Sequence, residues 1–267
     1  MKTYKGEITL VKNNRGCYII DTVKGCSVCR EEKPRGCYGD CYAKNISLRY
    51  GFDFGFPVKR DFIRDTRQTY LLDFHDTKHE NEIISKIRSI DMPFVGIGEM
   101  GDPSENWEHT IEVCGVISKA KKPIVIRTKH WNTIPNNLLT EIEKLRICIN
   151  TSVSALDSHE ELEHRLNQYE RLKKVCNSVL RIVSCDFNKK HADGLDKSII
   201  QDELFKAGNY IDTVFRHSKD NPWVVKNIIK TEKINFLKSK VLASVFNKNA
   251  YLGDCEHCPD MCGINLF

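Results

Sequence analysis

The chain has 267 residues, 40% of them hydrophobic and 29% charged, which is ordinary globular composition and length enough for one large domain with a sizeable core. No apolar run approaches the length of a membrane span, and the N-terminus, Met1 to Gly6, lacks the apolar stretch of a signal peptide, so the sequence predicts a cytoplasmic protein with no membrane partner. The net charge of +5 is concentrated: from Arg216 to Lys248 there are eight Lys/Arg against two Asp/Glu, and the rest is close to neutral. Such a stretch is more often the solvated face of a helix than a contact for a polyanion, and it leaves nucleic acid open as a partner.

In chain order, the first strand candidate is Tyr18 to Val23, which leads into a cysteine-rich segment. Further β-branched runs follow at Phe94 to Gly98, Ile124 to Thr128, Ile147 to Ser154, Val179 to Ser184 and Tyr210 to Phe215. Helical patterns fill the gaps. Trp107, Ile111, Cys114 and Ile117 repeat at helical spacing after Asp102-Pro-Ser, a good helix start. Leu162, Leu166, Tyr169 and Leu172 do the same after Ser158, whose partner Glu161 completes a capping box. Asn136 to Leu145 and Ser198 to Lys206 read as shorter helices. Strands alternating with helices imply right-handed βαβ units. The expected fold is α/β, a partial (β/α)6 barrel of parallel strands over residues 1–216, with a cysteine-containing C-terminal extension over 217–267. A doubly wound sheet suits the same pattern. In both architectures ligands gather at the C-terminal strand ends.

Twelve cysteines in a cytosolic chain point to metal or redox chemistry. Cys114, Cys148, Cys176 and Cys185 stand alone among apolar or helical neighbours and read as small buried hydrophobes. Cys26, Cys29, Cys37 and Cys41 form a CxxC, a seven-residue gap and a CxxxC. Thiolates at such spacing are ligands of iron–sulfur clusters or structural zinc. The last pair runs into Tyr42-Ala-Lys-Asn-Ile, which looks like a helix start.

A cysteine-rich loop after the first strand, ending in Cys-Tyr-Ala and opening a helix, resembles the radical S-adenosylmethionine (SAM) superfamily. The usual motif there is CxxxCxxC, and no triplet here has that spacing. The loop is similar to those of phage-type radical SAM proteins, where a Gly-Cys lies well upstream of a closing Cys-Tyr-Ala. The resemblance implies Cys26, Cys37 and Cys41 as ligands of a [4Fe-4S] cluster, with Cys29 the rival for the first place. It extends over roughly Tyr18 to Phe215. Gly98-Glu-Met-Gly-Asp-Pro follows the second strand, where family members bind the SAM amino group. Arg127-Thr-Lys-His closes the third and is similar to the Thr-Lys of spore photoproduct lyases. Ser152-Val-Ser-Ala-Leu-Asp ends the fourth, where a serine commonly meets the ribose or carboxylate, and Leu180-Arg-Ile-Val-Ser sits at the fifth, where an arginine often lines the adenosine. The implied SAM-binding residues are Tyr42, Gly98, Glu99, Lys129, Ser152, Ser154 and Arg181, with Glu99 and Lys129 suited by charge to the amino and carboxylate ends of SAM. The resemblance further implies reductive SAM cleavage, hydrogen abstraction from a substrate, and an electron donor such as flavodoxin or ferredoxin. It names neither a catalytic residue nor the substrate.

Near the C-terminus, Cys255, Cys258 and Cys262 have CxxC-xxx-C spacing, a metal signal. An auxiliary iron–sulfur cluster is the first choice and structural zinc the second; Cys29, Cys17, His257 or an exogenous group could supply a fourth ligand. The preceding Thr231 to Asn247, with Ile234, Leu237, Val241 and Val245 on one helical face, predicts an amphipathic helix that returns these cysteines toward the core. The competing reading of the whole chain is a zinc-stapled, non-catalytic nucleic-acid-binding protein.

Overall fold

The computed structural model describes residues 6–30, 41–62, 77–215, 221–229, 233–236, 239–242 and 254–266. Cys37 and five of the eight Lys/Arg of the basic stretch lie outside the described residues.

The main sheet begins with β1 (Val11–Lys12) and β2 (Tyr18–Ile20), paired antiparallel. Next come β3 (Val23–Lys24), α1 (Tyr42–Arg49), β4 (Val58–Lys59) and α2 (Thr77–Ser89). The parallel run follows: β5 (Val95–Ile97), α3 (Trp107–Ile117), β6 (Ile124–Thr128), α4 (Asn136–Glu143), β7 (Ile147–Val153), α5 (His159–Leu172), β8 (Asn177–Ser184), α6 (Ala192–Leu204) and β9 (Tyr210–Val214). A short α7 (Pro222–Asn227) and the strands β10 (Lys233–Phe236) and β11 (Ser239–Leu242) complete the described elements, with a final 3-10 segment at Met261–Leu266.

The sheet order is β1-β2-β5-β6-β7-β8-β9, and each pairing from β2 to β9 is parallel. Six parallel strands thus sit in sequence order with no reversal. Because crossovers are right-handed, an order that never reverses puts successive helices on one face. The packing agrees. Ile20, Val95, Ile97, Ile124, Ile126, Ile147 and Ile149 form one core with residues of α2, α3, α4 and α5, including Ile83, Ile87, Trp107, Ile111, Leu138 and Leu172. The alternate residues Ile19, Val125, Cys148, Val179 and Ile211 belong to a second cluster. Among the described residues no α-helix contributes to that cluster. Cys255, Met261, Cys262 and Ile264 of the C-terminal segment pack against it instead.

Local chemistry explains the helix starts. Asp102 accepts from the Ser104 amide at the turn before α3, and Asn106 caps α3 itself by accepting from the His109 amide. The Ser158–Glu161 capping box at α5 forms as its residue types predict. The Tyr18 to Val23 run is interrupted: Asp21 and Thr22 leave the ladder, and β3 pairs with β4 rather than with the main sheet.

The described parts of Thr231 to Asn247 form not the predicted helix but the antiparallel pair β10–β11. Ile234 and Val241, seven apart, share a face of a helix, but they also stand directly opposite each other across this pair. The same spacing satisfies both geometries, and Lys-Ile-Asn-Phe alternates polar and apolar as a strand requires.

Candidate functional site

The cysteine loop is anchored by backbone contacts that exclude side chains. Gly25, at φ +106°, places its amide on the Met100 carbonyl (3.0 Å) and bridges Gly101 in parallel. A Cβ on Gly25 would stand 2.9 Å from the Phe54 carbonyl oxygen, and one on Gly101 would run into the Val23 carbonyl. Both positions therefore need glycine. The Cys26 amide donates to Phe54 O (2.8 Å), and Glu105 accepts from the Ser27 amide and hydroxyl (2.7 and 2.9 Å). The chain enters α1 at Cys41, its N-cap residue. Cys26 and Cys41 then share one apolar cluster with Val28, Ala43, Phe54, Met100 and Trp131. Tyr42 is the first residue of α1, and Cys29 lies in a 3-10 turn, Ser27–Arg30.

The turn after β5 lies against this cluster. Gly98, at φ +90°, lies close to the Arg127 carbonyl, where a Cβ has no room. Asp21, at the end of β2, is buried and accepts from the amides of Glu99 (2.7 Å) and Met100 (3.0 Å). Burial raises its carboxyl above the usual range, and those amides with Arg60 and Arg127 act against the rise. The Glu99 carboxylate accepts from the Asn13 side-chain amide (3.0 Å).

Asp102 ties this turn to the loop after β6. Its Oδ1 accepts from the Ser104 amide and hydroxyl and from the Thr128 hydroxyl (2.9, 2.7 and 2.6 Å), and its Oδ2 accepts from the Lys129 amide (2.7 Å). Arg165 donates to the Lys129 carbonyl (2.8 Å), pairs with buried Asp157 and lies over the Trp131 ring. His130 follows at φ 51°, fully buried, with Nε2 on the Thr151 hydroxyl (3.0 Å). Burial, then the positive fields of His164, Arg165 and Arg171, push its imidazole down to about 3. The ring is therefore neutral at ordinary pH.

The face of the sheet opposite the described α-helices carries a second group. Ser152 and Arg181 are register partners on β7 and β8, as Arg127 and Asn150 are on β6 and β7, so all four point to the face that bears Cys148. Arg127 passes over Gly96, where a Cβ would collide with its guanidinium, and donates to the Cys17 thiol (3.3 Å). Cys17 is fully buried and shares a hydrogen bond with Cys255; that bond lowers its pKa and raises that of Cys255. The Cys255 amide donates to the Arg15 carbonyl (2.7 Å), and the Asn150 side-chain amide donates to the Cys262 carbonyl (2.9 Å). Arg127 and Arg181 both lie in the field of Cys255 and Cys262, and Arg15 lies in that of Arg181.

The structure thus brings the turn after β5, through Met100, to the Cys26–Cys41 cluster, leaves the Glu99 carboxylate on Asn13 and in the field of Arg127, and gathers Arg181 with the C-terminal cysteines. Lys129 is half-buried in the loop held by Asp102. Ser154 differs: it is fully buried, its hydroxyl donates to the Val183 carbonyl and accepts from the Leu156 amide, and so it locks a turn. The isolated Cys114, Cys148 and Cys185 are fully buried, and Cys176 packs beside the main core. Burial pushes the thiols of Cys148 and Cys176 up to about 12. Sequence reasoning missed Asp21 and the role of Asp102 beyond a helix start, and it missed Trp131 and Arg15. The first two had a readable signal, a carboxylate immediately after or before a strand-end turn whose amides need acceptors. Among the described residues, no three His, Cys, Asp or Glu side chains already stand at metal-binding distance, and no helix is long and apolar enough to cross a membrane.

No protein-family model and no curated protein matches this sequence. Among solved structures, the chain is similar to SuiB of Streptococcus suis, with 16% identity and a TM-score of 0.38 over 58% of this chain. The match spans 36% of SuiB, about a third of that protein.

Proposed function

We propose that this chain is a radical SAM enzyme whose parallel strands form a partial barrel. The observation that carries the reading is the meeting of Cys26 and Cys41 in one apolar cluster beside the Gly98–Gly101 turn, at the C-terminal end of a parallel sheet. That is where an α/β sheet binds its ligands. The donor set suits an iron–sulfur cluster: two thiols in an apolar shell, with Cys37 as the third ligand and Cys29 as the rival to Cys26. Such a cluster, when bound, supplies the electron that breaks the SAM sulfonium bond.

The chain's own residues hold and orient the cosubstrate. Glu99, fixed by Asp21 through the backbone of its turn, accepts from the SAM amino group. Lys129, on a loop that Asp102 and Arg165 hold in place, meets the carboxylate. Gly98 lets the backbone approach closely, Ser152 and Arg181 line the nucleoside, and Tyr42 opens the helix behind the cysteines. Met100 and Trp131 keep water from the cluster. In this reading Cys255, Cys258 and Cys262 hold a second metal, residues 1–216 form the core, and a small electron-transfer protein reduces the site. The substrate class stays open.

The test is anaerobic reconstitution with iron and sulfide, reduction, and incubation with SAM. The expected result is a brown protein that forms 5′-deoxyadenosine. A colourless, zinc-loaded protein that leaves SAM intact overturns the proposal and favours a zinc-stapled binding protein.

A further inference from the structure

Glu99 is held through both its backbone and its side chain. Its amide donates to Asp21 Oδ1 (2.7 Å), and its carboxylate Oε2 accepts from the side-chain amide of Asn13 (3.0 Å), 86 positions earlier in the chain. Asn13 follows β1 and opens the turn into β2. Its Oδ1 accepts from the Arg15 and Cys17 amides (3.0 Å each), its own backbone amide donates to the Cys17 carbonyl (2.9 Å), and its carbonyl accepts from the Gly16 amide (2.9 Å). Gly16 supplies the positive φ, +81°, that closes the turn. The turn is tied down from outside as well, because the Cys255 amide donates to the Arg15 carbonyl (2.7 Å). With Oδ1 taken by two backbone donors, the Asn13 side-chain amide has one orientation, and Nδ2 faces Glu99.

The hairpin does not need that last bond. Its turn closes through Oδ1, an acceptor that aspartate or serine also supplies. What asparagine adds is the Nδ2 donor. That donor is directed at a glutamate just past the C-terminal end of β5, in the turn whose Met100 joins the Cys26–Cys41 cluster.

We propose that Asn13 is a positioning residue whose side-chain amide holds the Glu99 carboxylate at the angle that receives the SAM amino group. This deepens the reading of Glu99 as the acceptor of that amino group and rests on it. A long side chain ordered before its ligand arrives gives up less freedom on binding. An ionised carboxylate offers about four acceptor positions, so it can hold the Asn13 bond and an ammonium together.

The experiment measures the SAM dissociation constant of the reconstituted, unreduced full chain by equilibrium dialysis, with bound iron and the thermal midpoint as checks on folding. Asn13→Asp keeps the Oδ1 acceptor, removes the donor and sets a like charge against Glu99. It should weaken SAM binding by at least about tenfold. Asn13→Ser keeps an acceptor for the turn but loses the reach to Glu99, and should weaken binding to a smaller degree. Asn14→Ala, at the exposed neighbouring position, should change nothing. Glu99→Gln should weaken binding too, and in that background the Asn13→Asp effect should reverse in sign. There the glutamine amide donates to the aspartate and its Oε1 turns to the SAM amino group. A residue that only stabilised the fold would lower affinity in both backgrounds. Asn13→Asp acting in one direction in both backgrounds overturns the proposal. So does native affinity in Asn13→Ser, which decides the matter if the aspartate variants do not fold. Native affinity in Glu99→Gln overturns the assignment of Glu99 to the amino group, and the role of Asn13 with it. Weakened binding in Glu99→Gln but in neither Asn13 variant overturns the role of Asn13 and leaves that assignment standing.

Discussion

At Gly96 the side chain of one residue dictates the identity of another two strand positions away in space. A Cβ at Gly96 would collide with the Arg127 guanidinium and come within 2.7 Å of Ile19 Cδ1. Gly96→Ala should therefore cost about 1–3 kcal/mol, the usual penalty of overpacking, read as a lower midpoint in urea unfolding. An unchanged midpoint would mean that Arg127 leaves its place freely. His130 offers a pH test. Its folded pKa, about 3, lies below the ordinary 6.5, so between those values the unfolded chain binds the extra proton. Stability should then fall as pH drops below about 6.5, at up to about 1.4 kcal/mol per pH unit from this group. His130→Asn keeps a residue that tolerates φ 51°. It should flatten the slope across this window while lowering stability at pH 7. A slope identical in both proteins would remove His130 as the source.

At the level of elements, the loops after β5 and β6 are one unit because Asp102 binds both. Asp102→Ala removes a cap and the acceptor of four hydrogen bonds. We expect a loss of about 2–4 kcal/mol by denaturant titration, and faster amide exchange at Lys129 together with Ser104. Faster exchange at one loop only would show that the two move independently. The strands of this sheet were legible because runs such as Ile124 to Thr128 are β-branched and bounded by breakers. The Ser158 cap was legible for a similar reason, since its partner lies three residues away. The region from Thr231 to Asn247 was not, because a seven-residue apolar spacing suits a helix face and a cross-strand pair equally. The role of Arg127 was hidden as well. Alternation assigns it to the face opposite Ile126, but nothing local announces that a segment beyond residue 250 packs there.

For the molecule as a whole, the site divides into a cysteine loop at one end of the sheet and a cysteine tail on its open face. Cys26→Ala and Cys41→Ala should each abolish 5′-deoxyadenosine formation and lower bound iron, and Cys29→Ala should spare both. Cys114→Ala, in a fully buried position of the main core, should lower stability without touching iron. If Cys29 is essential and Cys26 dispensable, the ligand triplet changes and the reaction class stands. Motif order along the chain placed the turn after β5 near the cysteine loop, and the bond from the Gly25 amide to the Met100 carbonyl joins the two. The charge cluster of Arg15, Arg127 and Arg181 exists only in three dimensions.

The tail packed on the face opposite the described α-helices also bears on how the protein comes into being. Its contacts with Arg15, Cys17 and Asn150 join the last described segment to the first. During synthesis the strands and their covering helices emerge in order, each able to dock on its predecessor. Among the described segments, the tail is the last to pack on the opposite face, with Ile19, Val125 and Val179. Before the tail emerges this face lacks the cover of Met261, Cys262 and Ile264, and a nascent chain with exposed apolar surface is prone to aggregate and dependent on chaperones. Pairing such distant segments is slow, although the entropy of closing the long loop grows only logarithmically. Ribosome-bound chains halted before residue 254 should therefore be captured by chaperones far longer than chains released whole.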